Sequence, residues 1–163
     1  MWDKIKTAWG KFKKYLGYAW ASPVTLFGLY AVAFKKFGWY KFLGVRGDAL
    51  VYIVDTDRAP DWLLRLWKNW AGHAVGNVVV LFRDPTSKPQ TLTHELKHVS
   101  QCMKLGVFQP LVYGASYLAI KFGCPGSDPY LDNPFEIDAR RAAGQVIDVV
   151  GALQKLKNQE QKK

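Results

Sequence analysis

Thr91-Leu92-Thr93-His94-Glu95-Leu96-Lys97-His98-Val99-Ser100-Gln101 is the stretch on which the reading of the whole chain turns. It contains His-Glu-x-x-His. On a helix, residues at i and i+4 lie one above the other, so His94 and His98 can aim two imidazoles at one cation. Glu95 reaches the same place from the side, as a carboxylate able to take a proton from water. Leu92, Leu96, Val99 and Met103 recur at spacings of 4, 3 and 4, which predicts a helix with an apolar stripe beside the histidines. The competing reading is two surface histidines on an amphipathic helix, with Glu95 a solvated charge. Against it, the chain has three histidines and two of them fall in this single turn.

A hydrolytic zinc site takes three protein ligands and keeps one position open. Downstream, Asp132, Glu136 and Asp138 are the acidic candidates. Asn133-Pro134-Phe135-Glu136 reads as a helix start, with Asn as N-cap and Pro at the first helical position. Glu136 could therefore merely close a capping box onto Asn133. Alternatively, from the first turn of a helix packed across the histidine helix, it supplies the third bond, with Ala139 small enough for close approach. Asp138 is two positions on and faces elsewhere, so Glu136 is favoured over it. Gln101, seven residues after His94, is a candidate hydrogen-bond partner for a ligand histidine. Tyr113, Tyr117, Tyr130 and His73 are candidate donors to an oxyanion, with a structural role also open to His73.

The chain has 163 residues, enough for one domain with a real core. Seven Trp, eight Tyr and nine Phe exclude a disordered chain and point to an aromatic core or to membrane contact. The net charge of +10 is uneven: residues 1–46 carry nine Lys/Arg against Asp3 alone, whereas the remainder is nearly balanced. Trp2, Ile5, Trp9, Phe12, Leu16 and Trp20 follow helical spacing with lysines interspersed, the pattern of a segment lying on an anionic membrane surface. The alternative is a helix that packs its Trp face on the domain. Ser22-Pro23 predicts a fresh helix start. Tyr15–Phe34 is uncharged for twenty residues, but Gly17, Ser22, Pro23, Thr25 and Gly28 dilute it, which favours an interfacial hairpin or a core helix over a span. Ala31-Val32-Ala33 resembles a cleavage site, yet the long amphipathic charged region before it fits a signal peptide poorly. Location is left open among cytoplasm, membrane surface and virion.

Gly44–Asp57 reads as strand around Ala49–Val54, with Gly47-Asp48 as a turn. Asp61–Trp70 reads as a short helix whose Trp62, Leu63, Leu66, Trp67 and Trp70 face the core. Gly76–Phe82 is a second strand, and Arg83–Gln90 a loop into the histidine helix. An apolar helix follows from Pro110, then a Gly/Pro/Asp-rich loop, then a last helix from Pro134 to about Leu156. Cys102 reads as a small buried hydrophobe. The segments thus expected are a basic aromatic helical segment at 1–43, a catalytic domain at 44–156 and a charged tail at 157–163.

The segment Val78–Ala143 resembles the zincin metallopeptidases of the gluzincin type. More closely, it is similar to small bacterial and phage-associated zincin-like proteins, on His94–Gln101, Phe108–Ile120, Asp128-Pro129-Tyr130 and Asn133–Glu136. In outline it is similar to zincin-like domains of contractile-injection proteins. It also resembles HtpX-like membrane proteases, whose Glu-x-x-Ala pattern is matched by Glu136-Ile137-Asp138-Ala139. The chain departs from these at Arg140, where they carry Asp, and at Lys97, inside the helix. The resemblance implies an α+β zincin-like fold: a small sheet packed on the His-Glu-x-x-His helix and a third-ligand helix, preceded by basic apolar N-terminal helices. It implies Zn2+ on His94, His98 and Glu136, Glu95 as general base, and a peptide or protein substrate. That substrate would pair by strand addition with Val78–Phe82 at the sheet edge. Two other classes stand beside the peptidase: a non-catalytic zincin-fold component of a virion or secretion assembly, and a membrane-associated basic protein. Nucleic acid is disfavoured as a partner, because the positive charge comes with an apolar aromatic face and no reading motif.

Overall fold

The computed structural model describes residues 1–145. The charged tail and the far end of the expected last helix lie outside them. The elements, in order, are helices α1 (Trp2–Gly28) and α2 (Tyr30–Lys36), strands β1 (Tyr40–Arg46) and β2 (Ala49–Val54), and helix α3 (Asp61–Trp67). Strands β3 (Gly72–Val75) and β4 (Val78–Leu81) follow, then helices α4 (Pro89–Leu105), α5 (Gln109–Gly123) and α6 (Pro134–Ala142). The fold is α+β, built on a four-stranded mixed sheet of order β1-β2-β4-β3, in which only β2 and β4 run parallel.

The run Val78-Val79-Val80-Leu81 fixes the layering. Successive strand residues face opposite sides of a sheet, and here all four are buried. Val78 and Val80 join Ala31, Tyr40, Tyr52, Val54 and Leu63 on one face, under α2 and α3. Val79 and Leu81 join Ala49, Val51 and Val99 on the other, where Leu92, Leu96 and Met103 of α4 close the layer. Complete burial of each such side chain contributes roughly 1.5–3 kcal/mol. Because α4 spends its apolar stripe on β4, its histidines must face away from the sheet.

Several expectations are corrected. Val78–Phe82 is not at the sheet edge: β4 is interior, and among the described residues the edge beside it is β3, a stretch between the expected helix and second strand for which no element was expected. Strand β1 begins at Tyr40, so a boundary at 43–44 falls inside a strand paired with β2. In α3 only Leu63 is fully buried; Trp62 and Leu66 are exposed, as is Trp70, which lies beyond the end of the helix. Helix α6 stops at Ala142, where Gly144 takes φ +63° and turns the chain away.

Pro23 does not break α1. A proline here cannot donate to the carbonyl of Ala19, and the Ser22 hydroxyl donates to that oxygen instead, at 2.8 Å. The helix docks by its small residues. Gly17 meets Met103 of α4, and Gly28 lies so close to Val75 and Val78 that a Cβ would come within 2.4 Å of the Val75 carbonyl oxygen. The Asn77 amide donates to the Thr25 hydroxyl at 3.0 Å, tying α1 to the β3–β4 turn. The tryptophan stripe is left outside: Trp2, Ile5, Trp9, Phe12, Leu16 and Trp20 are 43–73% exposed, which overturns packing of that face on the domain. Among the described residues no single helix is long and apolar enough to cross a membrane, although α1 and α2 pass that test together across a 42° bend.

Two alanine substitutions separate these roles of glycine. Gly28→Ala is expected to destabilise by about 1–3 kcal/mol, because backbone must move to admit the methyl. Gly10→Ala, with nothing within 4 Å of the added Cβ, is expected to stabilise by up to ~1 kcal/mol. Thermal denaturation of the two variants checks both signs.

Candidate metal centre

Helices α4 and α6 cross with the fully buried Ala139 between them, and this brings Glu136 against the histidines. Glu136 Oε2 lies 3.2 Å from His94 Nε2, and Oε1 lies 3.3 Å from His98 Nε2. The two imidazoles present Nε2 to Nε2 at 3.1 Å. Ligand atoms of the three residues all lie within 4.8 Å of one another, a group that can hold a metal ion.

Each ring is oriented from behind. His98 Nδ1 donates to Gln101 Oε1 at 2.8 Å, and His94 Nδ1 donates to Gln145 Oε1 at 3.2 Å. A proton held on Nδ1 leaves Nε2 with its lone pair toward the centre. The Gln101 amide is itself anchored, donating to the Phe135 carbonyl at 3.1 Å and to Asp138 Oδ2 at 3.0 Å. Asp138 therefore faces the outer side of α4, where it also pairs with Lys97 at 3.2 Å, and it does not reach the histidines. Asp132 accepts instead from the Asp128 backbone N–H, at 2.8 Å.

Asn133 caps α6, its Oδ1 accepting from the Phe135 N–H at 3.1 Å. Its amide also donates to the Tyr113 carbonyl at 3.3 Å, joining the start of α6 to α5. Glu136 does not close a capping box, because both its oxygens point into the centre. Oε1 accepts from the Tyr113 hydroxyl at 3.0 Å, while the buried Oε2 has no aligned donor. A donor set of two neutral nitrogens and a carboxylate oxygen without a donor of its own fits a divalent cation, which would satisfy all three at once.

The charges agree with that fit. Burial opposes ionisation of Glu136, but the His94 and His98 rings outweigh it and hold its carboxyl well below the usual range. Burial likewise works against a charge on His98, yet Glu136 and Glu95 raise its pKa overall. Glu95 is pushed up to about 7, mainly by burial, with the two histidines acting the other way. Its side chain lies against the backbone of the edge strand, where a Cβ on Gly72 would come within 3.2 Å of Cγ and Oε1.

Two adjoining hollows, of about 420 and 260 Å³, share Trp70, Gly72, His94, Glu95 and Tyr130. Tyr113, from α5, lines the smaller one. Tyr130 lies there under the Arg140 guanidinium, 5.6 Å above its ring, and burial together with Glu136 raises the pKa of its hydroxyl. Tyr117 lines neither hollow. His73 also lines the smaller hollow, but it is stacked between Trp67 and Tyr30, its Nε2 accepts from the Tyr30 hydroxyl, and burial lowers its pKa to about 4. Gln145 and Gly72 were not singled out from sequence. The signal for Gln145 was Gly144, the helix stop that turns the chain back toward His94.

Compared with protein-family models, with curated proteins and with solved structures, the chain matches none of them. What the geometry defines is an α+β protein with a buried His94–His98–Glu136 cluster that can hold a metal ion.

In metal-stripped protein, Glu95 and His98 both bind protons more tightly folded than unfolded. Buried His73 has the opposite sign between about pH 4 and 6.5, so the Glu95 contribution is read as the difference between the parent and Glu95→Gln. That difference should grow in favour of Glu95→Gln as the pH rises from about 4.5 to 7, reaching on the order of 2 kcal/mol above pH ~7. Urea denaturation at several pH values checks it.

Proposed function

We propose that the chain is a zinc-dependent metallopeptidase of the zincin type, with Zn2+ held by His94, His98 and Glu136. One observation carries the reading: the two imidazoles, the third-ligand carboxylate and a separate buried carboxylate, Glu95, all line one cleft. Two histidines and one carboxylate leave a position open, as catalytic zinc sites do. When bound, zinc supplies Lewis acidity, bringing the pKa of a water near neutrality and polarising a carbonyl.

The chain's own residues do the rest. Glu95, beside the ligand histidines in the same cleft, takes the proton from the attacking water and passes it to the leaving amine. Tyr130 keeps its proton at any physiological pH and can donate to the developing oxyanion, while the Tyr113 hydroxyl is committed to Glu136. The free edge of β3 offers backbone groups to an extended peptide, and Gly72 at its start brings that edge against Glu95. A merely structural metal site has no use for a second buried carboxylate beside its ligands, and this favours the enzyme over the non-catalytic component.

Elemental analysis should find about one zinc per chain in the parent and none in Glu136→Ala. Glu95→Gln should keep the metal while hydrolysis of an unfolded protein substrate drops by about 10²–10⁴-fold. Unchanged hydrolysis in Glu95→Gln rejects the general base. Bound metal with no hydrolysis in the parent leaves the non-catalytic zincin component.

A further inference from the structure

The stripe along α1 and the outer side of α5 are not covered by any described residue. Trp2, Ile5, Trp9, Phe12 and Leu16 recur every third or fourth position, which sets them on one helix face, and each is more than half exposed. This exposure follows from how the helix is anchored, since Gly17, Ala21 and Gly28 bury its small-residue side. Lys4, Lys6, Lys11 and Lys13 accompany the stripe, and Asp3 is the only acid in α1. Lys14 is engaged elsewhere, pairing with Asp48 at 2.6 Å.

A second observation lies on α5. That helix buries no residue at all, its only charge is Lys121, and Leu111 and Phe122 are among its most exposed side chains. Trp20 of α1 packs on Phe108, the residue that precedes α5, with ring centroids 5.8 Å apart.

The chemistry selects among partners. A second copy would bring two lysine-bearing faces together. A nucleic acid would use the lysines and leave the tryptophans in water. A bilayer with anionic headgroups takes both, the lysines at the phosphates and the aromatic rings at the acyl boundary. Because Gly17, Ala21 and Gly28 hold one side of α1 on the domain while the aromatic side stays exposed, the helix meets the surface in its plane.

We propose that α1, together with the outer side of α5, lies in the headgroup region of an anionic lipid bilayer and holds the protein there. Helix α5 also delivers Tyr113 to the cleft, so one element serves both the lipid surface and the wall of the metal centre. The inference is independent of hydrolysis and is tested without it.

The full chain is sedimented with phosphatidylcholine vesicles, with and without phosphatidylglycerol, while tryptophan emission is recorded. Binding with a blue shift is expected only on the anionic vesicles. Trp9→Ser with Phe12→Ser should weaken partitioning at least about tenfold, as should Lys4→Gln with Lys11→Gln, with circular dichroism and metal content unchanged. Absence of binding overturns the proposal. So does binding that survives the Trp9/Phe12 variant, which would show charge attraction alone. Self-association abolished by that variant, without vesicle binding, would assign the face to a second copy and also overturn it.

Discussion

The centre of this molecule depends on Glu136 being an ionised carboxylate with almost no water around it. An isolated buried charge costs several kcal/mol, and it persists only where positive charge or hydrogen bonds compensate. Here the compensation comes from two imidazoles on the neighbouring helix and one tyrosine hydroxyl on a third. The arrangement is incomplete as a purely organic one. The two imidazole Nε2 atoms stand only 3.1 Å apart, where both cannot carry a proton toward the other, and one carboxylate oxygen has no aligned donor. A cation shared among the three resolves each deficit with a single charge, which is why metal binding and the packing of α6 on α4 belong to one constraint.

Gln101 shows how that constraint reaches outward. Its amide oxygen takes the proton of His98, and its amide nitrogen is held by α6, so the side chain orients a ligand while also bracing the helix that carries the third ligand. Lys97 lies on the same outer seam, against Asp138. Arg140 donates to the Leu131 carbonyl at 2.9 Å and covers Tyr130, and so ties down the loop before α6.

The N-terminal helices belong to the same body. From Gly17 onward they are packed, and α2 supplies Ala31 and Tyr30 to the layer under the sheet. Only the first turns of α1 stand apart, apolar and basic together. The division within one continuous helix follows from side-chain size: small residues let the backbone close on β3, β4 and α4, and the large ones on the other face are covered by no described residue.

The sequence by itself determined the periodic features. The i, i+4 histidines, the apolar stripe of α4, the Asn133 cap, the buried valine run and the basic aromatic face of α1 are all set by local spacing, and local spacing is what a helix or strand reads. Tertiary structure alone decided the rest. That β3, too short to signal itself, forms the edge beside Glu95 depends on where β4 pairs. That Glu136 and not Asp138 meets the histidines depends on the rotation of α6, set by Ala139 and the Gln101 bracket. That Gln145 stands behind His94 depends on a turn past the end of the helix. Each of these is a contact between segments distant in the chain, and its geometry is set by how whole elements pack, which no run of neighbouring residues encodes.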